Sequence, residues 1–162
     1  MSLVRKVPQL PEGTMITDGM GAIDYQDVYR VDLEADAPIQ DIVDTALELP
    51  GWVVTALRLR HHLIARPFGL DTGRFDNADA RMAKVPVVAR GDGEIVLGQD
   101  DKHLYYRLSF LKRAGDQGTA VYLSTVVRFH NVWGRVYFLP VRLGHKLVVR
   151  STLKKLARSM PA

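Results

Sequence analysis

Apolar and polar side chains alternate from Asp24 to Glu34. Tyr25, Asp27, Tyr29, Val31 and Leu33 share one face, and Asp24, Gln26, Arg30, Asp32 and Glu34 lie mostly on the other. A period of two predicts a half-buried strand. The pattern then turns helical. Asp36 suits an N-cap and Pro38 a first turn, where its missing N–H costs nothing; Ile39, Ile42, Val43, Ala46 and Leu47 follow at helical spacing until Pro50-Gly51. A second helix is expected from about Trp52 to Arg66, burying Val53, Ala56, Leu57, Leu63 and Ile64. Its wetter side carries Arg58, His61, His62 and Arg66, and Pro67 stops it. Residues 67–84, rich in Gly, Asp, Asn and Arg, read as a long connection anchored by Phe68, Leu70, Phe75 and Met82.

The period of two returns at Val85. Expected strands are Val85–Ala89, Glu94–Gln99, His103–Arg113, Thr119–Asn131 and Arg135–Leu139, separated by short polar turns, which makes them an antiparallel meander. The last strand belongs to the stretch VWGRVYFLPVR; LGHKLVVRSTLKKLAR after it reads as a C-terminal amphipathic helix. On its wheel His145 falls with Val148, Val149, Thr152, Leu153, Leu156 and Met160, so it faces the sheet, and Lys146, Arg150, Lys154, Lys155 and Arg158 lie opposite. Strand, two helices, five strands and a helix make an α+β domain over 20–162. Residues 1–19, with Pro8, Pro11 and no lasting period, read as an extended N-terminal arm.

Length and composition narrow the function classes. A chain of 162 residues with 47% hydrophobic and 25% charged residues has the make-up of one globular domain. The absence of cysteine excludes disulfides and thiolate chemistry and fits a reducing cytoplasm, the expected location. No apolar run approaches the ~18 residues of a transmembrane segment, and MSLVRKVPQLPEGT lacks the apolar core of a secretory signal. The net charge of +4 arises locally: Arg142 to Arg158 holds six Lys/Arg and no acid, leaving 16 basic against 18 acidic residues elsewhere. The stripe 142, 146, 150, 154, 158 most simply faces water. It also suits an anionic membrane surface or an acidic partner. Nucleic acid is not expected, because no aromatic platform or helix-turn-helix accompanies the charge.

No specific catalytic signature is present. Gly19-Met20-Gly21 opens a G-x-G, but Asp24 occupies the third glycine's place and no strand precedes it, so a turn explains it better and no dinucleotide cofactor is expected. His61 and His62, adjacent on a helix, point about 100° apart and cannot readily share a metal. His103, His130 and His145 lie on separate elements, without the spacing of a known metal site, so no metal is expected. His103, Tyr105, Arg107 and Ser109 share one strand face, opposite Leu104, Tyr106, Leu108 and Phe110. Ser124, Val126, Arg128 and His130 likewise lie opposite Leu123, Thr125, Val127 and Phe129. The plain reading puts the polar faces in water. The functional one lets their ends reach a cavity mouth, where paired arginines bind a carboxylate.

The residues Trp52, Arg58 and Arg60, then Glu94 to Gly98, Asp101 to Arg107, His130-Asn131, Gly134 to Phe138 and His145 to Arg150 resemble the uncharacterised bacterial family DUF2867. The element order is similar to the helix-grip fold of the START and Bet v 1-like (SRPBCC) superfamily. That resemblance implies a curved antiparallel sheet wrapped on a long C-terminal helix, with two short helices after the first strand and a cavity between. Some relatives of the family are joined to a short-chain-dehydrogenase-like domain, which is not expected within these residues, so the resemblance implies no cofactor. The family transfers no catalytic residue.

The leading expectation is a binding or carrier protein for a small hydrophobic or amphipathic ligand, with Tyr105, Arg107, Arg128, His130, Tyr137 and His145 as cavity residues. The alternatives are a cyclase- or hydrolase-type enzyme using the same cavity, and a module docking through its basic helix to a dehydrogenase-like partner. The sequence leaves open a homodimer.

Overall fold

The computed structural model describes residues 4–60, 63, 67, 85–115 and 118–160. In chain order the elements are β1 (Arg5–Val7), β2 (Tyr25–Leu33), α1 (Ile39–Leu47), α2 (Gly51–Arg60), β3 (Val87–Arg90), β4 (Glu94–Asp100), β5 (Leu104–Gly115), β6 (Gly118–Phe129) and α3 (Val132–Ser159). The strands form one antiparallel sheet in the order β1-β2-β6-β5-β4-β3. The protein is therefore α+β, with a six-stranded antiparallel sheet and a long C-terminal helix.

The alternation in β2 does what it predicts. Tyr29, Val31 and Leu33 are buried on one face, where they join Ile95, Leu97, Phe110, Val121 and Leu123 from the neighbouring strands. Ile39, Ile42, Val43 and Ala46 of α1 and Val149, Leu153 and Leu156 of α3 close this core. The start of α1 differs from expectation. Pro38 occupies the N-cap position without a side-chain cap, and the Asp36 carboxylate instead accepts from Lys112 Nζ at 3.0 Å and Thr119 Oγ1 at 2.9 Å. At its other end, Lys155 Nζ donates to the carbonyls of Thr45 and Glu48 at 3.2 and 2.7 Å, placing a cation on the negative end of the helix.

Helix α2 buries less than its pattern predicts. Val53 is buried, but Ala56 is exposed, as are Trp52 and Leu59. Leu63 is exposed as well. The side chains of Leu57, Arg58, His61, His62, Ile64 and Arg66 lie outside the described residues, as do the anchors expected at Phe68, Leu70, Phe75 and Met82.

The largest correction concerns Arg135–Leu139, which is helix and not strand. Helix α3 starts at Val132, capped by the Asn131 side chain, which accepts from the Gly134 N–H at 3.1 Å. Gly134 lets the first turn approach the β4–β5 connection, since a Cβ there would lie 2.2 Å from the His103 carbonyl oxygen. Phe138 then packs edge-on against the rings of Tyr25 and Phe129, at 4.9 and 5.5 Å. The helix runs on through Pro140.

The other face of the sheet is also covered. β1 pairs with β2, and the chain following it lays the fully buried Ile16 and Met20 against Val96 and Val126. The N-terminal arm thus acts as a strap. The strap overturns the expectation that the polar strand faces meet water: Ser109, Ser124 and Arg107 are buried at 0, 1 and 6% exposure.

Candidate functional site

The face of β2 that turns toward α3 is apolar except at one place. Asp27 stands between Tyr25 and Tyr29 with its side chain only 1% exposed. Antiparallel register sets Asp27 beside Thr125 of β6, and α3 brings His145 down on both. His145 Nε2 lies 2.9 Å from Thr125 Oγ1 and 3.5 Å from Asp27 Oδ1. Tyr25 Oη donates to Asp27 Oδ2 at 2.6 Å. Arg142 lies over the ring of Tyr25 at 5.4 Å and Arg150 over that of Tyr29 at 5.9 Å. A carboxylate, an imidazole, two phenols and two guanidinium groups thus meet in one seam between sheet and helix.

The electrostatics follow from this geometry. Burial pushes the Asp27 carboxyl upward. The hydrogen bond and positive charge of His145, with the hydroxyls of Tyr25 and Thr125, outweigh it and hold Asp27 below the usual carboxylate range. Burial, the bond to Asp27 and its negative charge push the Tyr25 phenol well above its ordinary value. Tyr29 is raised by burial and by the same carboxylate, against the opposing charge of Arg150. Asp27 is therefore the ionised member and both phenols keep their protons at neutral pH.

Both contacts of His145 use Nε2. Nδ1 meets no hydrogen-bond partner among the described residues. The side chain is 17% exposed, so the seam is not closed over it. The arrangement can orient a polar ligand atom or accept a proton at Nδ1.

The other five residues expected to line a cavity do not join His145. Tyr105 and Arg107 stand on the strap side of the sheet: Arg107 Nε donates to Tyr105 Oη at 2.8 Å, and Nη1 donates to the Ile16 and Asp18 carbonyls at 3.0 and 2.7 Å. Arg128 donates to the Met20 carbonyl at 3.0 Å on that same side. The paired arginines thus hold the strap's backbone. His130 lies at the end of the sheet, with Nε2 at 2.5 Å from Asp100 Oδ1. Tyr137 packs half-buried on α3 against Leu104, Val127 and Phe138. Asp27 and Thr125, which complete the seam, were not expected there. The available signal was one carboxylate on an otherwise apolar strand face. Among the described residues no three His, Asp or Glu side chains stand together as metal ligands, and no helix is long and apolar enough to cross a membrane.

A family model described as "Protein of unknown function (DUF2867)" matches residues 20–152. No curated protein matches the chain. Among solved structures, an uncharacterised protein from Rhizobium leguminosarum aligns over 98% of this chain and 99% of its own, at 9% identity and a TM-score of 0.42.

Proposed function

The chain belongs to the DUF2867 family, and we propose that it binds a small apolar or amphipathic molecule between the sheet and α3, in the manner of helix-grip proteins of the START and Bet v 1-like superfamily. The observation that carries this reading is the partly open His145 above the buried Asp27 carboxylate, flanked by Tyr25 and Tyr29, with the rings of Phe138 and Phe129 continuing from Tyr25. Leaving polar groups in an apolar interface is costly unless they are paired. Here Asp27 Oδ2 accepts from Tyr25 Oη, while the buried Oδ1, 3.5 Å from His145 Nε2, has no hydrogen-bond partner among the described residues. A buried carboxylate oxygen left unpaired beside a partly open imidazole supports a role for the pair in meeting a ligand's polar end. The ligand's apolar part would lie along the aromatic rings.

Native mass spectrometry of protein purified without denaturation, with displacement of a hydrophobic dye, tests the reading. Dye binding by the wild type and its weakening in folded His145→Ala are expected. A wild type that binds neither copurified ligand nor dye refutes it.

A second reading, acid–base catalysis in the same seam, draws on one specific observation. With Nε2 facing Asp27 and Thr125, Nδ1 is the ring nitrogen left to meet a substrate. Turnover of an activated ester that is lost in His145→Ala and in Asp27→Asn supports it. Turnover unchanged in both removes it.

A further inference from the structure

The outer face of α3 changes character along its length. Its last turns present Arg150, Lys154 and Arg158 to water, as expected of the basic stripe. Its first four turns do not. Val132, Val136, Leu139, Leu143 and Leu147 recur at steps of four, three, four and four, and all five are exposed, the three leucines at 63–69%. Trp133 flanks them at 54% exposure. This is a second apolar stripe on a helix whose opposite face already carries Phe138, Val149, Leu153 and Leu156 into the interior. A contiguous exposed row of large side chains over roughly 22 Å of helix marks an interaction surface.

What covers the row is set by charge. Arg135, Arg142 and Lys146 border it on one side and Arg150 continues it, while no Asp or Glu occurs anywhere from Val132 to Ala162. Leu139, Pro140, Arg142, Leu143 and Lys146 line a shallow open hollow in which apolar groups and two cations sit together. Two copies packed through this face would set cations against cations, with no acid on either helix in reply. The row also lies on a single helix, with only that shallow hollow between its side chains, a shape that immerses in a fluid layer. Leucines and a tryptophan over a basic border are the composition of helices that lie in a membrane interface.

We propose that the first four turns of α3 form a peripheral docking surface for an anionic lipid bilayer. Leu139, Leu143 and Trp133 enter the headgroup–acyl boundary, and Arg135 and Lys146 meet lipid phosphates. The apolar row faces away from His145. Of its bordering cations Arg142 also reaches the seam, over the Tyr25 ring, so variants that spare Arg142 test the surface independently of the ligand reading.

Cosedimentation with phosphatidylcholine vesicles containing about 30% phosphatidylserine tests this. The wild type binds these vesicles at about 50 mM salt, releases at about 500 mM and ignores pure phosphatidylcholine. In a Trp52→Phe background, the emission of Trp133 shifts to the blue on binding. Each cation near the surface is worth about a fivefold change in affinity, so Arg135→Ser with Lys146→Ser weakens binding about thirtyfold. Leu139→Asp with Leu143→Asp abolishes it while melting stays near wild type; should that pair unfold, the serine pair carries the test. Failure of the wild type to bind charged vesicles, equal binding to neutral ones, or wild-type binding by the folded variants overturns the proposal. So does a dimer in sedimentation that the aspartate pair breaks without any vesicle binding, which gives the face to a second copy.

Discussion

Replacing Asp27 by asparagine tests the electrostatics of the seam. The substitution preserves volume and leaves an oxygen to accept from Tyr25, but it removes the charge that His145 and the two hydroxyls address. Hydrogen bonds to charged groups contribute about 1.5–3 kcal/mol. Removing one partner of a buried ion pair reaches about 3–5 kcal/mol when the other charge is stranded. Asparagine keeps the volume and still accepts from Tyr25, so the smaller range applies. We expect Asp27→Asn to lose about 1.5–3 kcal/mol at pH 7, a fall in melting temperature of about 3–12 °C for a domain of this size. The pH dependence carries the sign. Folding holds Asp27 below its unfolded pKa of about 3.9, so its contribution is fully present above that value. As pH falls the unfolded chain takes the proton first, and the contribution is lost through the folded pKa. The gap between wild type and variant, measured by urea denaturation, should thus be widest above about pH 5 and shrink below about pH 4. Equal stability at pH 7, or a gap that persists into acid, would show that Asp27 folds as a neutral acid and would refute the reasoning.

Three further outcomes are open to measurement. Leu153→Ala and Leu156→Ala, both at 0% exposure, should each cost about 2–5 kcal/mol in denaturant melts, whereas exposed Lys154→Ala and Arg158→Ala should stay within about 0.5 kcal/mol. Gly134→Ala gains about 1 kcal/mol of helix propensity. Its Cβ, however, lies 2.2 Å from the His103 carbonyl oxygen, so net destabilisation is expected on thermal melting, and a rise in melting temperature would contradict the close approach. Arg107→Met leaves the Ile16 and Asp18 carbonyls without their donor, at a cost of about 1–3 kcal/mol; limited proteolysis should then cut between Leu10 and Ile23, and an unchanged digest would show that the strap is held by apolar burial alone.

Strands β2, β4, β5 and β6 were legible because each buries alternate apolar side chains in the core closed by α1 and α3, which enforces a period of two. The sheet-facing side of α3 from His145 onward was legible for the matching reason at a helical period. Arg135–Leu139 was misread because residues 132–142 are apolar on two sides of the helix, so no single stripe stands out, and Val, Tyr and Phe favour strands. Asn131 followed by Gly134 held the corrective signal, an N-cap three residues before a close contact. The strap was not legible because Ile16 and Met20 are isolated anchors without a period, and only the fold places them on the sheet. For the same reason Arg107 and Arg128 read as ligand-facing: sequence fixes that they share a side, and not what lies across from it. Asp27 was placed on the correct face, but Thr125 and His145 reach it only through cross-strand register and helix docking.

The sheet order has a consequence for how the chain acquires its structure. Strand β6 lies between β5, its neighbour in sequence, and β2, which pairs Leu33 with Thr119 and Tyr25 with Val127. The β5–β6 hairpin forms from local contacts, but β2 is made early and must wait for nearly the whole sheet before finding its partner. Closing so long a loop is slow, and during synthesis the apolar side of β2 emerges from the ribosome with its partner strand still unmade. The pairing of β2 with β6 therefore closes the longest chain separation between neighbouring strands of the sheet, and contact order alone predicts that it comes late in folding.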